Sequence, residues 1–347
     1  MKKQRSIAEI GVYPPPYGGI SVHIERLCDT LEDRGIDYRI YDENGDQGLK
    51  KKQVVPIAGV ESWCRSYLFQ KNEDIIHNHF LRWQVRFLLS LLRLKGKKVI
   101  HTIHSMRNDG DQFGFVYRLL IKVTAALSHH FVAVSEEVEQ KLLSLGIPSN
   151  KISVIPAFIP PPEEEVELPD YVRDFVDQNP TLIVANGGIG NYYQGVDLYG
   201  ADLCVDLCIE LAKENPNFGF VYAITHIVDS GALDTFRDKL SEHGVQDRFL
   251  FIEEKMPLYP LIGLASLFVR PTASDGDAIS IREALYLGTP VVTSDVVRRP
   301  EGVRLFETRN LEAFKQACLA ELESPRDLGP YREQQGRYVE ELMELLR

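Results

Sequence analysis

The chain has 347 residues, of which 44% are hydrophobic and 26% charged, so it is long enough for two domains and too apolar to be disordered. Its formal net charge of −11 argues against a nucleic-acid-binding protein that relies on overall basicity. The charge is unevenly divided, because residues 1–160 carry 22 Lys and Arg against 17 Asp and Glu, whereas residues 161–347 carry 17 against 33.

The number of cysteines and the length of the apolar runs indicate the cellular compartment of the protein. Five cysteines in a chain of this length do not form a disulfide framework, which fits a reducing environment. The N-terminus has basic residues without the apolar stretch of a secretory signal, and no apolar run reaches the ~20 residues of a membrane-spanning helix. We therefore expect a cytoplasmic protein.

The first half alternates strands with helices. Strands are predicted at residues 6–12, 37–41, 74–77, 98–103, 130–134 and 152–155. Helices are predicted at residues 20–34, 82–94, 115–127 and 136–145. Strands spaced by helical segments indicate βαβ units and a parallel sheet.

The second half repeats this scheme. Strands are predicted at residues 181–186, 218–224, 249–252, 267–269 and 290–293, and helices at 198–214, 233–242, 259–265, 280–287, 311–322 and 331–346. We therefore predict an α/β protein with two Rossmann-like domains, residues 1–160 and 161–328, whose parallel sheets face a central cleft. Residues 329–347 are expected to form a C-terminal helix that packs back on the first domain.

A carboxylate motif at residues 274–285 carries the first chemical signal. It follows a predicted strand, turns at Gly276 and enters a helix, whose first N–H groups can hold phosphate oxygens. Asp275 lies on the loop and Glu283 about one turn inside the helix, so both can reach one ligand at different ends. Carboxylates accept paired hydrogen bonds from sugar and ribose hydroxyls. An ordinary acidic helix start with a solvated Glu283 is the alternative.

Further motifs accompany this one in a fixed order. Gly-Thr-Pro-Val-Val follows at residues 288–292, and the earlier segments are Pro-Pro-Tyr-Gly-Gly-Ile at 15–20, Asp-Ile-Ile-His-Asn-His at 74–79, Thr-Ile-His at 102–104, Val-Ser-Glu at 134–136 and Gly-Val-Asp at 195–197. With these motifs the sequence resembles the retaining GT-B glycosyltransferases of family 4. The resemblance covers most of the chain and implies the GT-B fold.

The resemblance also implies roles for the carboxylate motif. Glu283 would bind the ribose hydroxyls of a nucleotide, and Asp275 would contact hydroxyls of the donor sugar. The backbone of Asp277, Ala278 and Ile279 would support the phosphates or the sugar.

In the first half, the resemblance points to a glycine pair and a histidine. Gly18 and Gly19 would let their loop approach the diphosphate closely, because they lack a Cβ atom. His104 would lie beside the transferred sugar, with a core or strand-end histidine as the alternative. His101, three residues earlier on the same strand, would point to the opposite face and be structural.

One departure from the family concerns the diphosphate. Most members have an Arg and a later Lys after the first strand of the second domain, whereas here Gln194 stands at the Lys position and no Arg precedes it. A diphosphate leaving group needs its developing charge stabilised. We hypothesise that Arg270 or Arg282, with the helix N-terminus, replaces the pair, while the loop residues Arg298 and Arg299 are left open between a supporting role and simple exposure.

A basic helix in the first half suggests a surface for a partner. Arg82, Arg86 and Arg93 fall within a narrow arc at helical spacing, which would suit an anionic membrane surface. A helix that packs on the sheet with one solvated basic face is the alternative.

These features together predict a glycosyltransferase of the EC 2.4 type. It would move a sugar from a nucleoside diphosphate sugar, of the UDP or GDP type, to a glycan or lipid-linked acceptor in surface or exopolysaccharide synthesis. No metal and no other cofactor is expected, and a peripheral position at the inner face of the cell membrane is envisaged. A GT-B protein that binds a nucleotide or glycan without catalysis is the alternative, motivated by the missing Arg/Lys pair.

Overall fold

A computed structural model describes residues 5–14, 18–43, 53–70, 73–106, 114–162, 166–214 and 217–347. Residues 15–17 of the predicted glycine-loop motif lie outside these described residues. The chain divides into two compact units, one comprising residues 1–159 with 336–347 and the other residues 160–335.

The first unit contains seven strands and five helices before its C-terminal segment. The strands are β1 (Ile7–Gly11), β2 (Tyr38–Asp42), β3 (Val54–Pro56), β4 (Ile75–Asn78), β5 (Lys98–Ile103), β6 (His130–Ala133) and β7 (Ile152–Val154). The helices are α1 (Gly19–Asp33), α2 (Val60–Tyr67), α3 (Trp83–Ser90), α4 (Phe115–Leu127) and α5 (Glu136–Ser144). These counts refer to the described residues.

The seven strands form one parallel sheet in the order β3-β2-β1-β4-β5-β6-β7. The chain moves outward from β1 through β2 to β3, and it then returns to build β4 to β7 on the other side. The strand order therefore reverses between β1 and β4. Ligands of open α/β sheets bind beyond the carboxyl ends of the strands at such a point.

The second unit holds the remaining elements. Its strands are β8 (Leu182–Ile189), β9 (Tyr192–Tyr193), β10 (Val196–Asp197), β11 (Gly219–Ile227), β12 (Phe249–Ile252), β13 (Leu267–Arg270), β14 (Val291–Ser294) and β15 (Arg304–Phe306). Its helices are α6 (Asp170–Gln178), α7 (Ala201–Glu214), α8 (Ser230–Glu242), α9 (Tyr259–Leu264), α10 (Ile279–Leu287) and α11 (Leu311–Glu323). A last helix, α12 (Gly329–Leu345), begins here, and its residues from Gly336 onward belong to the first unit.

The second sheet has six parallel strands in the order β12-β11-β8-β13-β14-β15. Its order reverses between β8 and β13, so the loops after these two strands are the expected ligand-binding edge. Both units are therefore Rossmann-like α/β domains with parallel sheets, as the alternating pattern predicts.

Each unit buries its own hydrophobic core. In the first unit the buried residues of β1, β4 and β5 pack with Val339, Leu342, Met343 and Leu346 near the end of the chain. The five cysteines are all buried and none of them forms a disulfide bond, and burial raises the pKa of the Cys208 thiol to about 12. These cysteines therefore act as small core residues.

Two local predictions differ from the structure. The helix expected at 82–94 is α3 only as far as Ser90, and it continues as a tight 3-10 turn over Leu91–Lys95 that ends at Gly96. Gly96 has a φ of 79°, which a glycine adopts without cost. The strand predicted at 181–186 is β8, which extends to Ile189, and the residues after it form the small antiparallel hairpin of β9 and β10.

Candidate functional site

A buried carboxylate lies at the centre of the first unit. Glu9 is on β1 and is fully buried, with one carboxylate oxygen 3.0 Å from Nδ1 of His77 on β4. Its other oxygen lies 3.0 Å from Nε2 of His79, which follows β4. His77 also places Nε2 2.8 Å from the hydroxyl of Thr102 on β5. Neighbouring parallel strands thus bring these polar side chains together at the point where the strand order reverses.

His104 extends this group beyond the end of β5. Its Nε2 lies 3.0 Å from Nδ1 of His79. The ring of His23, from α1, packs 5.3 Å from the His104 ring in an edge-on arrangement and 5.4 Å from the His79 ring. The structure therefore brings the predicted residue His104 into a cluster with Glu9, His77, His79 and His23, which we call the histidine cluster.

Burial keeps several of these imidazoles neutral. It lowers the pKa of His23 to about 4 and holds the pKa values of His79 and His104 well below their ordinary range, with neighbouring histidines adding to the effect. Protonation of an imidazole in this environment is unfavourable, because the cation would be removed from water and would lie beside other groups that can carry positive charge. Neutral imidazoles that donate through one nitrogen and accept through the other are the expected state.

Some of these residues have the spacing of metal ligands. The ligand atoms of His23, His79 and His104 lie within 4.8 Å of one another, as do those of Glu9, His77 and His79. Neutral imidazole nitrogens are common zinc ligands. The sequence-based expectation that the protein needs no metal remains a prediction.

The structure also gives the positions of Gly18, Gly19 and His101, which the sequence analysis singles out in the first half. Gly18 precedes α1 in an extended conformation with φ −158°, and its N–H donates to the Ser21 hydroxyl at 2.8 Å. Gly19 is the first residue of α1. His101 is fully buried, with Nε2 3.0 Å from the hydroxyl of Ser90, which fits the structural role expected for it.

In the second unit, two arginines converge on Asp275. Arg270, the last residue of β13, donates from Nε to the Asp275 carboxylate at 2.8 Å, and Arg299 donates to it at 2.9 Å. Arg270 also donates to the side chain of Asn186 on β8, at 3.1 Å. Thr272 donates its hydroxyl to Asp275 as well. We call Arg270, Asp275 and Arg299 the arginine cluster.

The arginine cluster holds more positive than negative charge. Burial alone would raise the pKa of Asp275, but Arg270 and Arg299 more than offset this and hold that pKa well below its usual range. One ionised carboxylate therefore faces two guanidinium groups, and the cluster carries one surplus positive charge. This surplus lies at the carboxyl end of β13, where the second sheet is expected to bind its ligand.

From the sequence, Arg299 is left open between a supporting role and simple exposure, and it lies 24 residues after Asp275. Its side chain is only 2% exposed, so it is not a simple loop residue. The signal that could have identified it is strand order, since β14 pairs directly with β13 and the loops that follow adjacent parallel strands share one edge.

The second predicted arginine is paired elsewhere. Arg282, on α10, donates from Nε to both carboxylate oxygens of Asp277 at 2.8 and 2.9 Å, and from Nη1 to Gln335 at 3.2 Å. Burial raises the pKa of Asp277, and Arg282 offsets this only in part. The pair brings no surplus charge, so Arg270 and Arg299 are better placed than Arg282 to neutralise an anion.

The start of α10 has the form expected for an anion site. Ala278 is the N-cap and Ile279 the first residue of this nine-residue helix, so backbone N–H groups point out of its first turn. Glu283, in the second turn, is only 5% exposed. It is therefore not the solvated glutamate of the alternative interpretation.

Gln194, at the position of the family lysine, lies on an exposed turn. It has a φ of 50° and the following Gly195 a φ of 83°, and together they link β9 to β10. Two consecutive residues with positive φ are the mark of a type I′ hairpin turn. Its side chain donates to the hydroxyl of Tyr193.

The predicted basic face of three arginines is wrong for Arg86. This side chain is fully buried, donates to the Phe80 carbonyl at 3.1 Å and lies 4.7 Å over the Trp83 ring. Arg82 is exposed and paired with Glu61, while Arg93 follows the change from α-helix to 3-10 turn. Because the winding changes after Ser90, the spacing of the arginines does not place them on one face.

Comparisons with known proteins agree with this architecture. The structure of a glycosyltransferase from Rickettsia africae ESF-5 matches with a TM-score of 0.69 at 15% identity, over 99% of this chain and 94% of that one. The Anabaena protein Alr3699/HepE, in complex with UDP and glucose, matches with a TM-score of 0.63 at 12% identity, over 99% of both chains. The two domains and their order of strands thus define the GT-B glycosyltransferase fold.

Sequence comparison adds the family. Residues 17–162 match the model of Glycosyltransferase Family 4, and residues 192–324 match the model of Glycosyl transferases group 1. The lipopolysaccharide core biosynthesis mannosyltransferase LpsB of Rhizobium meliloti (strain 1021) is 24% identical over 234 residues, which are 67% of this chain and 60% of that relative's length. These matches, one in each unit, support a GT-B glycosyltransferase similar to family 4.

Among the described residues, none of the helices combines the length and the apolar character that a membrane crossing requires.

Proposed function

We propose that this protein moves a sugar from a nucleoside diphosphate sugar, of the UDP or GDP type, to a hydroxyl of a glycan or lipid-linked acceptor. Its proposed place is the synthesis of lipopolysaccharide or another surface polysaccharide. The relative that acts in lipopolysaccharide core biosynthesis and the similar structure bound to UDP and glucose support this assignment.

The observation that carries the proposal is the surplus charge of the arginine cluster. The leaving diphosphate develops negative charge, which fixed cations stabilise in a partly dry site. Arg270 and Arg299 supply such charge at the carboxyl end of β13, in a chain that lacks the Arg/Lys pair expected after β8. Because side chains provide this charge, no metal is required in the scheme.

Asp275 takes a somewhat different role in this scheme from the one the resemblance implies. Its two oxygens accept hydrogen bonds from Arg270, Arg299, Thr272 and the Gly276 N–H, which together use the lone pairs of a carboxylate. Contact with a sugar hydroxyl would therefore require one of these bonds to be exchanged. We propose that Asp275 mainly holds the two arginines in place for the diphosphate.

For the remaining predicted residues we propose the roles that the resemblance implies. Glu283 would bind the ribose hydroxyls. The backbone of Asp277, Ala278 and Ile279, at the start of α10, would hold phosphate oxygens. Gly18 and Gly19 would admit the diphosphate to the first turn of α1, and His104 would lie beside the transferred sugar.

The reaction would retain the configuration of the anomeric carbon, as in the family that the sequence resembles. The bond from that carbon to the diphosphate oxygen breaks, and the acceptor oxygen forms a bond on the same face. The leaving diphosphate takes the proton of the acceptor hydroxyl. Interactions that strengthen as charge develops on the diphosphate accelerate this step.

Substitution of the arginines tests the donor site. Arg270→Ala and Arg299→Ala should each weaken UDP or GDP binding by about tenfold to a hundredfold, because a hydrogen bond to a charged group contributes about 1.5–3 kcal/mol. The measurement is nucleotide titration by calorimetry, with circular dichroism to confirm folding. Arg298→Ala, on the neighbouring exposed position, is the matched control and should change affinity less than twofold. Unchanged binding in both Arg270 and Arg299 variants would overturn this site.

The alternative, a non-catalytic GT-B binding protein, keeps the same nucleotide affinity. It differs in that bound donor is neither transferred nor hydrolysed. Release of nucleoside diphosphate in the presence of an acceptor pool separates the two functions.

A peripheral position at the membrane is proposed for a different surface from the one first predicted. Helix α4 exposes Phe115, Val116 and Leu119, which are 82%, 78% and 51% exposed. Arg118 and Lys122 are exposed on the same helix. Apolar side chains flanked by basic ones suit the headgroup region of an anionic bilayer.

A further inference from the structure

We propose that Glu9 and His79 are positioning residues that fix the tautomer of His104, so that Nε2 carries its proton and Nδ1 is a bare hydrogen-bond acceptor. The ligand class for that acceptor is a sugar hydroxyl. This last step rests on the proposed function, in which His104 lies beside the transferred sugar, whereas the tautomer itself does not.

Glu9 is fully buried, so its carboxylate is contacted by protein groups and not by solvent. An ionised carboxylate only accepts hydrogen bonds, so each imidazole beside it must donate. His77 therefore donates from Nδ1, and its Nε2 lies 2.8 Å from the Thr102 hydroxyl. His79 donates from Nε2 to Glu9 at 3.0 Å.

The donation by His79 decides the state of its other nitrogen. Burial and the nearby His77 hold the pKa of His79 well below its ordinary range, so the ring has one proton and Nδ1 has none. His104 Nε2 lies 3.0 Å from this bare nitrogen and must donate to it. The pKa of His104 is lowered by the same causes, burial first, so its Nδ1 is left without a proton.

His23 closes the cluster without competing for these protons. Within the described part of the chain, neither of its ring nitrogens has a hydrogen-bond partner of normal geometry, although the Ala157 backbone lies close enough to favour its charged form. Its ring packs edge-on against His104, at an interplanar angle of 71°. Packing therefore holds the His104 ring while the Glu9–His79 chain sets its proton.

A zinc ion held by His23, His79 and His104 is the competing account. It would place Glu9 behind His79 as an outer carboxylate, a common arrangement at zinc sites. Tetrahedral zinc with Zn–N bonds of ~2.0–2.1 Å separates its ligand nitrogens by about 3.3 Å. His79 Nδ1 and His104 Nε2 lie 3.0 Å apart, which is the distance of a direct hydrogen bond, and Zn²⁺ uptake by the protein separates the two accounts.

The proposed tautomer of His104 has a consequence for the choice of the sugar donor. A bare Nδ1 accepts a hydrogen bond from a hydroxyl and offers nothing to an oxygen that lacks a proton. A site built for a hydroxyl discriminates strongly against an analogue without it, because the buried acceptor is left unpaired. A donor with a deoxy position opposite His104 should therefore react more slowly than its hydroxylated parent.

The direct test is nitrogen NMR of protein with 15N-labelled histidine, using His104→Gln to assign the His104 signals. We expect a neutral His104 with the proton on Nε2 and an unprotonated Nδ1. Glu9→Gln should replace this pattern by a mixture, because the glutamine amide can also donate to His79. Thr102→Val is the matched control, since it removes a partner of His77 and leaves the Glu9–His79–His104 chain intact.

Kinetics provides the second readout. Glu9→Gln should lower kcat by about tenfold to a hundredfold, with little change in nucleotide affinity, because the wrong tautomer of His104 leaves the sugar hydroxyl without its acceptor. His79→Asn, which keeps an acceptor near the position of Nδ1, should retain more activity than His79→Ala. Thermal unfolding of each variant identifies any that fail to fold.

Three results would overturn the proposal: a proton on His104 Nδ1, a charged His104 at neutral pH, or stoichiometric Zn²⁺ uptake that His104→Ala abolishes. If the tautomer is as stated but no sugar nucleotide is bound or consumed, the proposed function fails and the proton chain stands.

Discussion

Asp275 accepts hydrogen bonds from both Arg270 and Arg299, which fixes the two guanidinium groups at the carboxyl end of β13. Its place in the carboxylate motif, with seven residues between it and Glu283, was recognisable from spacing. Its saturation by Arg270 and Arg299 was not, because these contacts depend on the loops after β13 and β14 lying side by side. The same holds for His104, whose motif was visible, whereas its link to Glu9 spans strands far apart in the sequence.

The charge balance of the arginine cluster predicts a pH-dependent contribution to stability. The pKa of Asp275 is lowered on folding, so its ionised form stabilises the fold above its ordinary value of 3.8, and this contribution is lost as the pH falls through the folded value. Asp275→Asn should reduce the free energy of unfolding by about 3 kcal/mol at pH 7, because two buried arginines lose their partner.

Urea unfolding at several pH values measures this effect. The difference between Asp275→Asn and wild type should shrink progressively below about pH 4. Asp238→Asn, on the exposed face of α8, is the control and should stay within about 0.5 kcal/mol of wild type. A pH-independent difference for Asp275→Asn would contradict the charge pairing.

At the scale of elements, periodicity located the long helices and strands but missed features set by local geometry. The arc of Arg82, Arg86 and Arg93 assumes a continuous α-helix, and the 3-10 turn after Ser90 breaks that assumption. The β9–β10 hairpin was missed because its strands have two residues each and its turn lacks the usual Asn-Gly or Asp-Gly pair. Burial of Arg86 depends on tertiary packing that helical spacing does not reveal.

Helix α4 is the element whose exposed face we predict to meet a membrane. Phe115→Asp and Leu119→Asp should each reduce co-sedimentation with vesicles of anionic lipid severalfold at low salt, because each places a charge where an apolar side chain would be buried. Phe69→Asp, which changes an 88% exposed side chain on another part of the first unit, is the control. Vesicle binding that is absent, or equal in all three variants, would remove α4 as a docking surface.

At the scale of the molecule, the alternation of strands and helices was sufficient to predict two parallel-sheet units, and the motifs in register were sufficient to predict the family. The uneven charge of the two halves was less informative. The second unit is acidic overall, but Arg270 and Arg299 give the proposed donor site a surplus of positive charge. Local pairing, and not the total charge, therefore sets the electrostatic field at that site. Pairing of this kind depends on tertiary contacts, which composition does not contain.

Sugar transfer with retained configuration is best tested by NMR of the product. Purified protein is incubated with UDP- and GDP-sugars and a pool of glycan and lipid-linked acceptors, and the anomeric signal of any new glycoside is compared with that of the donor. We expect a new glycoside with the anomeric configuration of the donor sugar. An inverted product, or a nucleotide sugar that binds but is neither transferred nor hydrolysed, would contradict it.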